Sequence, residues 1–186
     1  IYGRVLSRLV IAKGNVVVES GAEVGTIYVT AASADDFKLT VMSGANVGLI
    51  TSDKEGVLAN INVPSGTDVL EYNAANVAYS GTSKTAYATF AEAFAATKAG
   101  ETMYVLQDTS ITGDYTVVTK PISIDLGGHT LTTDQSFGFY MYSNNANLVI
   151  ENGTINSVYQ IAYGAKGKIT LKNVQAKVTS DAAFWH

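Results

Sequence analysis

Apolar and polar residues alternate in three similar segments within the first third of the chain. The segments begin at Val16, Leu39 and Ile61, and each continues through a Ser-Gly pair to a further Val. They follow one another at a near-constant offset, a repeat of about 22–23 residues. Alternation with a period of two is typical of a half-buried β-strand, and Ser-Gly marks a turn. A near-constant offset favours successive coils of a β-solenoid over a simple meander.

The register of these segments predicts columns of identical or similar side chains along the solenoid. Three columns are apolar, and two columns of serine and glycine lie beside them at the turn. Their members are Val16/Leu39/Ile61, Val18/Val41/Val63, Val24/Val47/Val69, Ser20/Ser43/Ser65 and Gly21/Gly44/Gly66.

A second repeat occupies the last third of the chain. Leu148–Ile155 aligns with Ile169–Ala176, and the same offset places Asn152 over Asn173. Stacked asparagines form ladders because each amide both donates and accepts a hydrogen bond. This offset also places Tyr142 over Tyr163 and predicts a further strand near residue 184. Since the sequence ends within that strand, we expect a fragment of a longer protein, or an end that another chain completes.

One amphipathic helix is expected near residues 89–99, between the two repeats. Thr89 and Glu92 have the spacing of a capping box, Phe90 and Phe94 share one face, and Gly100 is placed for a left-handed C-cap. A helix at this place would cover the exposed first coil of a second solenoid. The sequence therefore predicts two domains, residues 1–74 and 75–186.

Residues 77–178 resemble the opening of the pectin-lyase-like right-handed parallel β-helices. The segments that carry the resemblance are Tyr87–Leu106, Lys120–Leu131 and Ile150–Ile155. More narrowly, their order is similar to that in β-helical modules of large bacterial cell-surface proteins. The resemblance implies an all-β, right-handed parallel β-helix and an extracellular or cell-surface location. It implies little about activity, because one scaffold serves lyases, hydrolases, adhesins and phage fibres.

Composition and charge exclude several classes of function. The net charge of −4 and the presence of only two arginines argue against nucleic acid or an anionic membrane as a partner. The absence of cysteine excludes disulfides, thiolate metal sites and a thiol nucleophile. No apolar run is long enough for a transmembrane helix, so no membrane span is expected.

Catalytic groups are not clustered in the sequence. Lyases on the resembling scaffold use acidic Ca²⁺ ligands and a basic residue, usually arginine, and residues 77–186 contain no arginine. Asp125 and Glu151 would approach each other if their strands stack, and such a pair of carboxylates could hold a Ca²⁺ ion. We nevertheless expect no cofactor, and a Ca²⁺ site is the weaker alternative. The Asp35-Asp36 pair and His129 are better explained as polar turn residues. We therefore expect no catalytic residues and no metal site.

Aromatic residues give a stronger indication of function. Eleven tyrosines are present, and Phe137–Tyr142 alternates so that Phe137, Phe139 and Met141 would point inward. The outward side chains Tyr140 and Tyr142, with Tyr159 and Tyr163 nearby, would form a surface for sugar rings. Simple structural stacking of these side chains is the alternative interpretation.

Together these patterns favour a non-catalytic extracellular β-helix module of a bacterial surface protein, acting as a stalk or as an adhesive surface for glycans. Expected partners are a polysaccharide or cell-surface glycan, and further coils of its own or another chain at the C-terminal end. Two alternatives stay open. One is a fragment of a polysaccharide lyase or glycoside hydrolase with its active site in missing coils, and the other is a phage or virion fibre module.

Overall fold

The computed structural model describes residues 1–81, 83–134, 137–164, 166–179 and 184–185. About half of the chain, 51%, is β-strand, and the strands wind into a β-solenoid of about eight turns with one helix. The all-β solenoid that the repeats predict is therefore confirmed. The chain forms two compact units, Ile1–Ala74 and Ala75–His186, and each has its own buried apolar cluster.

The first unit is built from two parallel walls and short connecting turns. Strands β1, β3, β5 and β6 form one wall in that order, and β2 pairs with β4 in the other. Two short 3-10 helices, Ala34–Asp36 and Val57–Asn60, occupy connections. The strands are β1 (Arg4–Ile11), β2 (Gly14–Val18), β3 (Glu23–Val29), β4 (Phe37–Val41), β5 (Asn46–Ser52) and β6 (Val69–Glu71).

The predicted columns of the first two coils are present in the backbone register. Val16 pairs with Leu39, Val18 with Val41 and Val24 with Val47. A bridge between Thr40 and Asn62 extends the β2–β4 wall into the third coil at the predicted offset. The repeat therefore predicted the correct stacking between β2 and β4 and between the first halves of β3 and β5.

The prediction that Val69 stacks over Val47 is wrong. Val69 pairs with Ile50 instead, and its side chain is 37% exposed. Pro64 ends the pairing of the third coil with β4, because proline has no N–H to continue the ladder that Asn62 makes with Leu39. The next turn is still at the predicted position, since Thr67 N donates to Pro64 O as Ala45 N does to Met42 O one coil earlier. The register changes after this turn, where Ile50 N donates to Asp68 O.

The second unit adds twelve strands and a helix within the described residues. Its first wall contains β9, β12, β15 and β17 as parallel neighbours, with β10 and β13 joined to the second half of β15. A second parallel wall has the order β11-β14-β16-β18. The elements are β7 (Ala78–Ser80), β8 (Ala86–Tyr87), α1 (Phe90–Ala96), β9 (Thr102–Val105), β10 (Thr109–Ile111), β11 (Thr116–Val118), β12 (Pro121–Asp125), β13 (Thr130–Thr133), β14 (Phe137–Met141), β15 (Asn147–Ser157), β16 (Gln160–Tyr163), β17 (Lys168–Val178) and β18 (Phe184–Trp185).

The C-terminal repeat has the predicted register. Leu148 pairs with Ile169 and Ile155 with Ala176, so β15 and β17 stack along their full length. The strand expected near residue 184 is β18, whose Trp185 lies opposite Tyr163. The first coil of this unit differs from the rest, because β7 is antiparallel to both β8 and β9 and covers the edge of β9.

Helix α1 begins as predicted and ends early. Thr89 is the N-cap, and its side chain and that of Glu92 form the expected capping box. Phe90, Ala93 and Phe94 are buried, and the Phe90 ring contacts that of Phe139 at 6.2 Å in the solenoid core. No helix in the described part of the chain has the length and apolarity needed to cross a membrane.

The expectation that Gly100 caps this helix is wrong. The helix stops at Ala96, and Thr97 is already extended. Gly100 has φ +83° in a turn where Glu101 N donates to Lys98 O at 3.2 Å. Its positive φ therefore serves the third position of a β-turn that leads into β9, rather than the helix end.

Candidate functional site

Aromatic side chains gather on the outer face of the β11-β14-β16 wall. Val117 lies opposite Tyr140, and Tyr140 lies opposite Tyr163, so three neighbouring coils contribute to one outward column. We call the set Tyr115, Phe137, Tyr140, Tyr142 and Tyr163 the aromatic ridge. Each member has a ring contact with another member.

The centre of the ridge is a packed cluster. The Tyr140 and Tyr163 rings are nearly parallel, at 14° and 5.9 Å between centroids. Phe137 contacts Tyr115 at 4.5 Å and Tyr163 at 5.2 Å. These rings pack against one another, as expected if they stabilise the wall of the solenoid. Structural stacking was the alternative to sugar binding in the sequence analysis.

The ends of the ridge are more open than its centre. Tyr142 is 60% exposed and is tilted by 59° from Tyr140, at 5.9 Å. Tyr115 and Tyr163 are each 40% exposed, and Tyr115 meets Tyr140 edge to face at 5.5 Å. Tyr115, Tyr142 and Tyr163 are therefore the members that offer surface to a ligand.

The predicted stacking of Tyr142 over Tyr163 is wrong, because Tyr163 lies opposite Tyr140. The offset that joins Tyr140 to Tyr163 on this wall is longer than the one that joins Asn147 to Lys168 in β15 and β17. The corner after β16 is correspondingly shorter than the corner after β14. One offset therefore cannot describe both walls of the same coil.

The prediction that Phe137 points inward is also wrong. Phe139 and Met141 are buried as expected, but Phe137 is only partly buried and its ring lies in the ridge. Gly138 and Phe139 are both buried, as are Ile161 and Ala162 in the next coil. Two consecutive inward residues break the strict alternation at a bend, so the residue before them changes face.

Tyr115 is a ridge member that sequence reasoning missed. It belongs to no repeat that the sequence shows, and the available signal was the turn residue Gly113 shortly before it. Gly113 has φ +84°, which turns the chain sharply between β10 and β11 and places Asp114 and Tyr115 beside the ridge.

Tyr159 lies in the turn before β16 and is half exposed. The sequence grouped it with the other three tyrosines, and the structure places it one residue before β16, the strand that carries Tyr163. Its involvement in sugar binding stays a prediction.

A groove of about 380 Å³ opens beside Tyr115. It lies between the start of α1, strand β10 and the turn into β11, and its size is within the range of small-ligand pockets. Its lining combines apolar side chains with four threonines and one serine, which carry hydroxyl groups. The lining residues are Ala88, Thr89, Phe90, Ala91, Phe94, Thr109, Ser110, Ile111, Thr112, Asp114, Tyr115, Thr116 and Val117.

The groove and the aromatic ridge share residues. Tyr115 lines the groove and contacts both Phe137 and Tyr140, and Val117 lines the groove and lies opposite Tyr140. A ligand in the groove can therefore extend over the ridge towards Tyr142 without crossing an intervening element. Apolar faces ringed by hydroxyls match the amphipathic surface of a pyranose ring.

The predicted asparagine ladder is present. Asn173 Nδ2 donates to Asn152 Oδ1 at 3.3 Å, and Asn152 Nδ2 donates to Asp125 Oδ1 at 3.2 Å. The ladder is exposed rather than enclosed within the bend, and it includes Asp125, which the repeat did not indicate. Asn152 and Asn173 have φ of +61° and +51°, so they also form the bend itself.

The acidic residues considered for catalysis or metal binding have structural partners. Asp125 pairs in register with Glu151, but its carboxylate accepts from Gly127 N and Asn152, and Glu151 faces Lys172 at 3.8 Å. Within the described residues, no three histidine, aspartate or glutamate side chains are close enough together to hold a metal ion.

The other candidate groups are turn residues, as the sequence suggested. The Asp36 carboxylate accepts from Ser33 N and Oγ, both at 3.0 Å, and so closes the turn that contains Asp35. His129 Nδ1 lies 3.7 Å from Asp108 Oδ1 on the exposed surface.

The first unit holds a separate polar cluster around Tyr28. The Arg8 guanidinium lies over the Tyr28 ring at 4.0 Å. Burial, followed by hydrogen bonding to the Asp53 carboxylate, raises the pKa of Tyr28 well above its usual value. Burial likewise raises the pKa of Tyr72, while its hydrogen bond with Tyr28 acts in the opposite direction. Both phenols are therefore neutral over the physiological pH range.

Comparison with known proteins identified no relative of this chain. No protein-family model, curated protein or solved structure matches the chain. The β-solenoid architecture and the geometry of the ridge and groove are accordingly the basis for any functional conclusion.

Proposed function

We propose that the protein is a non-catalytic, extracellular β-helix module that binds glycans, of the kind that pectin-lyase-like folds provide in bacterial surface proteins. The observation that carries this proposal is the continuity between the groove beside α1 and the aromatic ridge. A stack of coils holds these side chains at fixed spacing, so the binding surface is formed before the ligand arrives.

Aromatic platforms suit sugars because the C–H groups of one pyranose face pack on a ring while the hydroxyls stay hydrated. The open ends Tyr115 and Tyr142 are separated by Tyr140, so a chain of several sugar units fits the surface better than a single unit. The groove offers hydroxyl groups and one carboxylate for hydrogen bonds to the first unit.

The test is retention of the purified chain on a panel of immobilised and insoluble polysaccharides, with the supernatant assayed for released sugars. We expect retention without release. Tyr115→Ala and Tyr142→Ala should each weaken binding about fivefold, equivalent to about 1 kcal/mol for one aromatic contact.

Tyr2→Ala is the matched control, because Tyr2 is an 85% exposed tyrosine in the first unit, far from the ridge in sequence. It should leave retention unchanged. Released reducing or unsaturated sugars would instead favour the lyase or hydrolase alternative. Absence of retention on every polysaccharide would leave a stalk role without a glycan ligand.

A further inference from the structure

The charges around the groove are of one sign. Asp114 is the one ionised side chain among the described residues that line it, and no lysine, arginine or histidine is among them. Glu92 adds a second carboxylate at the groove's edge, where its Oε2 accepts from Thr89 N at 3.2 Å and from Thr89 Oγ1 at 2.8 Å. The groove therefore presents negative charge to an incoming ligand.

The start of α1 does not reverse this charge. Its N-cap Thr89 and Glu92 satisfy each other's backbone N–H groups, and the Glu92 carboxylate opposes the positive end of this short helix. The capping box thus occupies the N–H groups of Thr89 and Glu92 and places a carboxylate where a sugar carboxylate would have to bind.

Asp114 is exposed and lines the groove together with its sequence neighbour Tyr115, so a ligand in the groove can reach both its carboxylate and the tyrosine ring. An ionised carboxylate only accepts hydrogen bonds. A protonated amine donates them, carries the complementary charge and is also attracted by the face of a tyrosine ring. A uronic acid would instead bring a like charge with no cation to compensate it.

We infer that the ligand is a glycan that carries basic amino sugars, with its ammonium group at Asp114 and its ring on Tyr115, and not a polyuronate. This inference rests on the proposed function. The predicted ligand class therefore differs from the acidic polysaccharides that the resemblance to pectin-lyase-like folds would suggest.

The experiment is calorimetric titration of the full chain with three oligosaccharides of equal length, at a pH where the free amine is protonated. The three are built from glucosamine, N-acetylglucosamine and galacturonic acid. We expect the glucosamine oligomer to bind most tightly and the galacturonate oligomer not to bind measurably. Asp114→Asn should weaken glucosamine binding about two- to fivefold, the range of an exposed ion pair, and should leave N-acetylglucosamine binding unchanged.

Asp35→Asn is the matched control. It removes one negative charge from an exposed turn in the first unit. Any attraction that comes from the net charge of the chain therefore decreases by the same amount as in Asp114→Asn. An equal loss of glucosamine binding in Asp35→Asn and Asp114→Asn would overturn the inference, since binding would then follow net charge.

Other outcomes separate the inference from the proposed function. Equal or tighter binding of the N-acetylated or the galacturonate oligomer, still weakened by Tyr142→Ala, would overturn the amino-sugar assignment and leave glycan binding intact. Absence of binding by all three oligosaccharides and by the polysaccharide panel would overturn both.

Discussion

Asn152 shows how one residue serves both the backbone and the side-chain network of a coil. Its φ of +61° is a conformation that asparagine tolerates better than most residues, and its side chain links the coils of Asp125 and Asn173. The repeat predicted the ladder, because two asparagines at one offset must stack. The left-handed bend was not predictable from the repeat, since the flanking residues alternate as in an ordinary strand.

Asn152→Ala should destabilise the chain by about 2 kcal/mol, because alanine tolerates the left-handed conformation less well than asparagine and because two hydrogen bonds are lost. Each of these bonds is worth about 0.5–1 kcal/mol at an exposed site. Asn152→Gly removes the same bonds without backbone strain and should cost only about half as much. Urea unfolding of the three proteins measures the difference, and equal losses would show that the backbone conformation contributes nothing.

Tyr28 gives the first unit a pH dependence at alkaline pH. Because the pKa of Tyr28 is raised in the folded chain, chiefly by burial and then by Asp53, the unfolded chain loses this proton first as the pH rises. The associated stability is complete below about pH 10, the ordinary tyrosine value, and is lost above it.

We therefore expect the unfolding free energy to fall above about pH 10 and Tyr28→Phe to flatten that fall. Thermal unfolding across a pH series measures the slope. Tyr2→Phe is the control, because Tyr2 is almost fully exposed and should leave the slope as it is. A steep slope that survives in Tyr28→Phe would contradict the assignment.

At the scale of elements, sequence patterns were reliable wherever the cause of the element is local. The α1 capping box depends on residues three apart, and it is present as predicted. The stacking of β15 on β17 follows from alternation within each strand and one shared offset. The end of α1 was missed, because the buried Thr97 is extended and caps the helix itself, with its N–H and its hydroxyl both donating to Ala93 O.

The predicted pairing of Tyr142 with Tyr163 was wrong for a reason that local sequence patterns do not reveal. The length of a corner is set by how the chain passes from one wall to the next, and the corners after β14 and β16 differ. Tyr115 was missed for a related reason, because its neighbours in the ridge come from later coils. The sequence therefore predicted that Tyr140, Tyr142 and Tyr163 belong to the candidate site. It did not predict which of them lie opposite each other.

Thr89→Ala tests how much the capping box contributes to holding α1 on the core. The Glu92 N–H loses its acceptor at 3.2 Å, and loss of an N-cap costs about 1 kcal/mol. Thr89→Ser keeps the hydroxyl and should retain most of the stability. Urea unfolding distinguishes them, and a loss as large in Thr89→Ser would mean that the methyl group, rather than the cap, is what stabilises.

At the scale of the whole molecule, the two units have separate apolar clusters. The first is built around Ile27, Leu39 and Ile50, and the second around Ile124, Phe139 and Ile150. Repeat proteins gain stability chiefly from contacts between neighbouring coils, so each unit contains most of what stabilises it.

Residues 75–186, expressed alone, should therefore unfold cooperatively by circular dichroism. Residues 1–74 should fold with lower stability, because a shorter chain buries a smaller fraction of its surface. A fragment 75–186 without a cooperative transition would show that the units depend on each other.

The unequal offsets of the two walls have a consequence for how such a protein changes over evolution. Corners of the second unit differ in length between coils while the flanking strands stay paired. Insertions and deletions at corners thus leave the buried columns unaffected, and new recognition loops can be acquired there without refolding the scaffold. In the corner between Tyr142 and Asn147, the exposed Asn144 and Asn145 are accordingly a natural place to graft a peptide next to the aromatic surface, whereas Ala146 belongs to the core.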